Sequence, residues 1–258
     1  MLNATQKSEV EQLVESSLDT AESTWDAFGE KLVCLANERS ILNRKAANES
    51  IETQIPGYDK INELVPQLDD FIAIVADMRD STKHLIQAIA APAKVSQLQR
   101  IYYETAALIP ALSKSIIYEN GKVTEYLGDG VLGLILASDD KRPAAIYASH
   151  RAAENCLNVV SDIVNPILAR RYKLPALKIG VGLSYSRAIV TVVGTDEHRE
   201  GKVFGQCVYH ATKLSSGENQ IYVDEAMKYI WPTEKGGTIR FRPVKVKDID
   251  GYLLTDAS

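Results

Sequence analysis

Hydrophobic positions change their spacing along this chain, and the changes mark its elements. Between residues 7 and about 50, Val10, Leu13, Val14, Leu18, Trp25, Phe28 and Leu32 recur at near-helical intervals with charged residues between them, which predicts an amphipathic helix. Its stripe would pack on its own subunit, on a partner helix, or on both. Pro56-Gly57 ends the pattern, and residues 51 to 68 read as a connector with a short helix. From Asp70 the apolar positions become contiguous. Phe71 to Ala76 is too short a run for a helix and predicts a buried central strand. Thr82 to Ala90 reads as a helix, continued or followed by another through Ser96 to Tyr118, with Pro92 and Pro110 as breaks or kinks.

Beyond residue 120, Lys122 to Leu127 and Val131 to Leu136 flank Gly128-Asp129-Gly130. This is a hairpin signal, because glycine supplies the positive φ angles that tight turns need. Pro143 opens an alanine-rich helix to about Arg171. Leu177 to Leu183 and Ala188 to Val193 read as two strands, and His198-Arg-Glu-Gly-Lys202 as a polar loop. Gln206 to Ser215 is a predicted helix, Gln220 to Val223 a strand and Asp224 to Ile230 a short helix. Strands near Ile239 to Val246 and Tyr252 to Thr255 complete the chain. The order β-α-α-β-β-α-β-β-α-β-α-β-β predicts an α+β domain over residues 69–258, with a largely antiparallel sheet and helices on one face. Residues 1–68 form a helical extension and connector.

Composition narrows the function classes. The chain has 258 residues, 45% of them hydrophobic, a formal net charge of −5 and a pI near 5.5. A general nucleic-acid binder is usually basic, so duplex binding is disfavoured, and any phosphate recognition must come from a local cluster of Lys and Arg. Cys34, Cys156 and Cys207 are odd in number and widely spaced, which fits no zinc pattern or disulfide framework and matches a reducing cytosol. The first residues lack a signal-peptide pattern and no segment has the roughly 18 apolar residues of a membrane span. A cytoplasmic protein is expected. The histidines, His84, His150, His198 and His210, have no ligand spacing on one predicted face and read as surface or packing residues. Arg100 and Lys114 read as parts of solvated helix faces.

Two segments carry the candidate chemistry. Phe71-Ile-Ala-Ile-Val-Ala-Asp77 ends an apolar run on a carboxylate, and Tyr126-Leu-Gly-Asp-Gly-Val131 places Asp129 in a tight turn. Asp at a strand end is commonly a turn or cap residue. Two such carboxylates brought together instead make a seat for Mg²⁺ or Mn²⁺ against phosphate oxygens.

From Asp70 onward the chain resembles the catalytic domain of class III nucleotidyl cyclases. Asp77-Met-Arg-Asp-Ser-Thr82 is similar to the family's first metal motif and Tyr126-Leu-Gly-Asp-Gly-Val131 to its second. Lys178-Ile-Gly-Val-Gly-Leu183 with Val190-Thr-Val-Val-Gly194 resembles its glycine-punctuated strand pair, and the segment from Val203 to Ser216 resembles the one that supplies transition-state residues. The resemblance implies a ferredoxin-like fold and a head-to-tail homodimer with interfacial active sites. It also implies two divalent cations, Mn²⁺ or Mg²⁺, held by Asp77, Asp129 and the Met78 carbonyl. Tyr209 and Lys213 stand where purine cyclases carry Asn and Arg. Asp80 stands where glycine is usual, and Lys247 matches the triphosphate-binding lysine.

The base-reading positions are Glu125, where guanylyl cyclases also carry Glu, and Lys202, in place of the Asp or Cys usual for purines. An acceptor beside a donor suits an N–H next to a carbonyl, an edge that both uracil and guanine present. A nearer resemblance is to the stand-alone pyrimidine cyclases of bacterial anti-phage (Pycsar) systems, which share the Asp-Met-Arg-x-Ser-Thr form. It implies a pyrimidine nucleoside triphosphate, UTP or CTP, as substrate and a cyclic nucleotide that activates a separate effector, and the base edge that suits Glu125 and Lys202 puts UTP before CTP. A guanylyl cyclase and a catalytically silent nucleotide-binding regulator are the alternatives.

Overall fold

The long apolar run at the centre of the chain becomes the strand on which the molecule is built. A computed structural model describes residues 1–35, 51–61, 66–86, 95–195, 198–233, 237–246 and 248–256. Helix α1 (Ala4–Leu35) is followed by β1 (Ile51–Ile55), β2 (Tyr58–Ile61), β3 (Gln67–Met78), α2 (Ser81–Ile86) and α3 (Gln97–Ile117). Next come β4 (Lys122–Tyr126), β5 (Gly130–Leu136), α4 (Arg142–Val159), a π-helical turn (Val160–Val164) and α5 (Asn165–Tyr172). The rest is β6 (Ile179–Thr195), β7 (His198–Gly205), α6 (Gln206–Leu214), β8 (Gln220–Asp224), α7 (Glu225–Ile230), β9 (Ile239–Val246) and β10 (Ile249–Asp256).

The main sheet runs β4-β5-β3-β6-β8-β10-β9, with β7 paired to the far half of β6. Its pairings are antiparallel apart from β6 with β8. Because strand side chains alternate, β3 serves two cores. Ile72, Ile74, Ala76 and Met78 pack in one cluster with residues of α1, α3, α4 and α5. Phe71, Ala73 and Val75 pack in the other with Ile55, Ile61, Leu132, Leu134, Val190, Cys207 and Ala211. Helices therefore lie on both faces rather than one. Among the described residues, the second face carries α6 and the small β1–β2 hairpin.

The N-terminal stripe docks on its own subunit. Val10, Val14, Leu18 and Ala21 are buried in the first cluster, beside α3. Burial of each large aliphatic side chain contributes about 1.5–3 kcal/mol, and charged groups frame the contact. Arg171 bonds Glu15 at 2.7 Å and Glu22 at 3.2 Å, Tyr172 donates to Glu22 at 2.5 Å, and Lys7 meets Asp162 at 3.1 Å.

Several sequence expectations change. Residues 51–61 form a β-hairpin, not a helical connector: Ile51-Glu-Thr-Gln-Ile55 alternates in burial, and the turn is made by Pro56 and Gly57, the latter at φ +85°. The two strands expected between residues 177 and 193 are one continuous β6, since Ser184-Tyr-Ser-Arg187 keeps its register with β3 without a break. The polar segment from His198 to Lys202 is part of β7, where cross-strand pairing with β6 sustains a strand that burial does not. Thus the predicted element order is right although two of its members were differently drawn. Pro110 lies inside a continuous α3. Arg100 is not on a solvated face; it is buried, with its Nε donating to the fully buried Glu104 at 2.8 Å, and Glu104 also meets His84 Nδ1 at 2.8 Å. Residues 36–50 of the predicted first helix, Pro92 and Lys247 lie outside the described residues.

Candidate active site

The β4–β5 turn brings Asp129 to the end of β3. Asp77 is paired with Gly130, and the Met78 amide donates to the Asp129 carbonyl at 3.1 Å. Gly128 adopts φ +87° to make the turn. Gly130 is required for contact: a Cβ there would lie 2.6 Å from Asp77 Oδ1 and from the Ala76 carbonyl. The turn therefore brings the Asp129 backbone against the end of β3, next to Asp77. By the alternation of β3, Asp77 follows Phe71, Ala73 and Val75 onto the thinly covered face.

Just beyond, Asp80 sits at φ +61° with its carboxylate on Lys83 at 2.6 Å. That conformation explains why the related motif takes glycine here, and Asp is among the few other residues that tolerate it. The Lys83 hydrogen bond holds the Asp80 carboxyl below its ordinary value. The Arg79 amide donates to the Lys178 carbonyl at 2.8 Å, tying this loop to the start of β6.

The structure also joins the two expected base-reading residues. Lys202 Nζ lies 3.3 Å from Glu125 Oε1 and 3.2 Å from Glu200 Oε2. Burial works against the Lys202 ammonium, but the Glu200 hydrogen bond and the Glu125 charge outweigh it and raise its pKa. The pair is partly open, with side-chain exposures of 26% and 34%. No spacing rule places β4 against β7, so this contact was not legible from periodicity.

Tyr209 and Lys213 share the outer side of α6. Tyr209 is 57% exposed, and the Lys213 ammonium stands 5.4 Å from its ring centroid. Helix α6 lies hard against β6: a Cβ at Gly180 would come 2.0 Å from the Ser215 carbonyl, and one at Gly182 2.1 Å from that of Ala211. The Gly-x-Gly of β6 is thus a packing requirement of α6.

Among the described residues, no group of three or more His, Cys, Asp and Glu side chains could hold a metal ion. Asp77 and Asp129 supply a smaller, all-oxygen donor set. Mg²⁺ and Mn²⁺ suit that set, because Mg²⁺ is commonly held by one or two carboxylates with water and substrate phosphates completing its shell. The residues present therefore fit such a cation. No described helix is long and apolar enough to cross a membrane.

No protein-family model matches the chain, and no curated protein matches it. Solved structures do. The adenylyl cyclase CyaB from P. aeruginosa aligns with a TM-score of 0.61 at 16% identity, over 76% of this chain and 98% of that one. The guanylyl cyclase Cya2 aligns at 0.58 and 17% identity, over 74% and 94%. The guanylate cyclase domain of RhGC from Catenaria anguillulae, in complex with GTP, aligns at 0.52 and 13% identity, over 74% and 100%. Likeness at this level of identity is a likeness of fold. The chain has the α+β fold of class III nucleotidyl cyclase catalytic domains.

Proposed function

We propose that this chain is a nucleotidyl cyclase that converts a pyrimidine nucleoside triphosphate, UTP before CTP, into its 3′,5′-cyclic monophosphate and pyrophosphate. The observations that support the reading are the approach of the Asp129 turn to Asp77 and the contact of Lys202 with Glu125. In the reaction the ribose 3′-oxygen bonds to the α-phosphorus, the bond from that phosphorus to the β-phosphate bridging oxygen breaks, and the hydroxyl proton passes to water.

Asp77 and Asp129, with the Met78 carbonyl, would hold two divalent cations, Mn²⁺ or Mg²⁺. When bound, these would favour the ionised 3′-hydroxyl and offset charge on the α-phosphate and leaving group. Glu125 accepts from uracil N3–H and Lys202 donates to O4, each exchanging part of its contact with the other for one with the base. A site built on such bonds rejects a base with the wrong donor pattern strongly. Lys213 and Lys247 supply positive charge toward the phosphates, and Tyr209 fills room that a purine's second ring would need. Lysine gives that charge without the planar fork of an arginine.

Exposed apolar groups support a homodimer. Leu68, Ile189 and Phe204 are cross-strand neighbours on β3, β6 and β7, and are 59%, 45% and 54% exposed. Tyr126 and Leu127 expose another patch at the hairpin tip. Such patches are typical of association surfaces. Interfacial sites predict that inactive Asp77→Ala and inactive Lys247→Ala regain activity when mixed. The resemblance to Pycsar cyclases extends the reading to a messenger that acts on a separate effector in anti-phage defence.

One observation favours a guanylyl cyclase as the second reading: Glu125 would accept equally from guanine N1–H. The proposal is tested by Mn²⁺-dependent pyrophosphate release from UTP. Absence of release under conditions in which GTP is consumed would replace the first reading with the second.

A further inference from the structure

Helix α6 must hold Tyr209 and Lys213 steady. A helix of 9 residues is marginal in isolation, and its buried side chains are Cys207, Ala211 and Leu214, two of them small, so close backbone packing against β6 is only part of what fixes it. Polar contacts add to that packing. The Cys207 amide donates to Ser186 Oγ at 2.9 Å, and His210 reaches across to Asp224.

Asp224 is a junction. Its side chain is 4% exposed. Oδ1 accepts the Met227 amide at 2.8 Å and so caps α7. Oδ2 accepts from the fully buried Ser184 Oγ at 2.5 Å and faces His210 Nδ1 at 3.1 Å. An ionised carboxylate only accepts, so Nδ1 carries the proton. The other ring nitrogen is then free to accept, and Gln206 Nε2 lies 3.2 Å from His210 Nε2. One carboxylate thus joins β6, α6, β8 and α7.

We propose that the Asp224–His210 contact is a positioning device for the proposed cyclase site, holding α6 in the rotation that presents Tyr209 and Lys213 to substrate. The inference rests on the cyclase reading. Neither His210 nor Asp224 touches substrate in it; both act through the helix. The contact joins residues that the sequence separates by a loop and a strand, and His210 had read as a packing residue.

His210 is the residue to vary, because Asp224 also caps α7. In His210→Ala the helix loses its anchor, whereas the amide nitrogen in His210→Asn stands close to the place of Nδ1 and can donate to Asp224. His210→Ala should lower kcat for the preferred nucleotide by about tenfold to a hundredfold, the scale of a small misplacement of reacting groups, with KM changed less than about twofold. Amide hydrogen exchange should quicken in residues 206–214 and stay unchanged in residues 71–78. His210→Asn should recover most of both. Unchanged exchange in 206–214 would overturn the proposal, as would a quickened exchange with full kcat or a failure of His210→Asn to rescue. A wild type active beside an equally active His210→Ala overturns this proposal alone. A wild type inert toward all four nucleoside triphosphates overturns the cyclase reading, and this proposal falls with it.

Discussion

Asp70 and Asp77 stand near opposite ends of the same apolar run, and their surroundings could hardly differ more. Asp70 is enclosed by donors: Tyr185 Oη at 3.0 Å, Arg187 Nε at 3.3 Å and Arg142 Nη2 at 3.4 Å. Burial, and then the Asp70 carboxylate, raise the Tyr185 pKa, so the phenol stays a donor. Asp77 instead stands against the bare backbone of Gly130, beside the turn that carries Asp129. The odd separation of the two residues sends them to opposite faces of β3. A carboxylate ringed by guanidinium and phenol groups is neutralised by the protein itself. Asp77 is instead brought, by the pairing of β3 with β5, toward a turn that carries a second aspartate, a placement that suits the cation-holding role proposed for it.

Breaking the two ends separately should have opposite consequences. Asp77→Ala or Asp129→Ala should lower cyclase turnover by at least about a thousandfold, roughly 4 kcal/mol of barrier. The melting temperature should move little, because neither residue belongs to the buried core. Pyrophosphate release and a thermal melt on the same sample read both quantities. Retained turnover in Asp77→Ala at saturating Mn²⁺ would remove the distinction.

Asp70→Ala should do the reverse. It removes the acceptor of Tyr185 and one of the two carboxylates that Arg142 meets, the other being Asp139, which should cost about 1–3 kcal/mol of stability, measured by urea unfolding. Turnover per folded molecule should remain that of the wild type. A stable Asp70→Ala with lost activity would mean that both ends of β3 serve the site.

A smaller effect is expected at the base pair. Glu125→Lys should reduce UTP turnover by about tenfold to a hundredfold, the scale of one or two base-edge hydrogen bonds, while Mn²⁺ affinity changes little. Smallest of all should be the pH response of base choice. Because the Lys202 pKa is raised above its ordinary 10.5, its charge and the stability it confers are fully present below about that value and lost only as pH rises through the higher folded one. The ratio of UTP to CTP turnover should stay flat between about pH 7 and pH 9. A step in that interval would assign discrimination to another group.

Where burial dictates pattern, the sequence was a good guide. The run from Phe71 to Ala76 reads as a central strand because both of its faces are covered, and Gly128-Asp129-Gly130 reads as a turn because little else fits one. Elements held by pairing rather than by burial were misread. The arm formed by β7 and the end of β6 carries His198, Arg199, Glu200 and Lys202, so it looks like a loop, and the β1–β2 hairpin is too short to show a period. The strand that ends near Asp77 and the turn that carries Asp129 were legible in outline because each has a local signature. The contacts of Glu125 with Lys202 and of His210 with Asp224 arise only when distant strands and helices meet, and no local rule reports them.

The central claim is a cyclase with a pyrimidine-sized, hydrogen-bonding base site. It is tested most directly by offering the purified protein equal concentrations of ATP, CTP, GTP and UTP together with Mn²⁺ and identifying the products by mass. The account predicts cyclic UMP as the dominant product, cyclic CMP well behind it and almost no cyclic AMP. Dominant cyclic GMP, or no cyclic nucleotide at all, would contradict it.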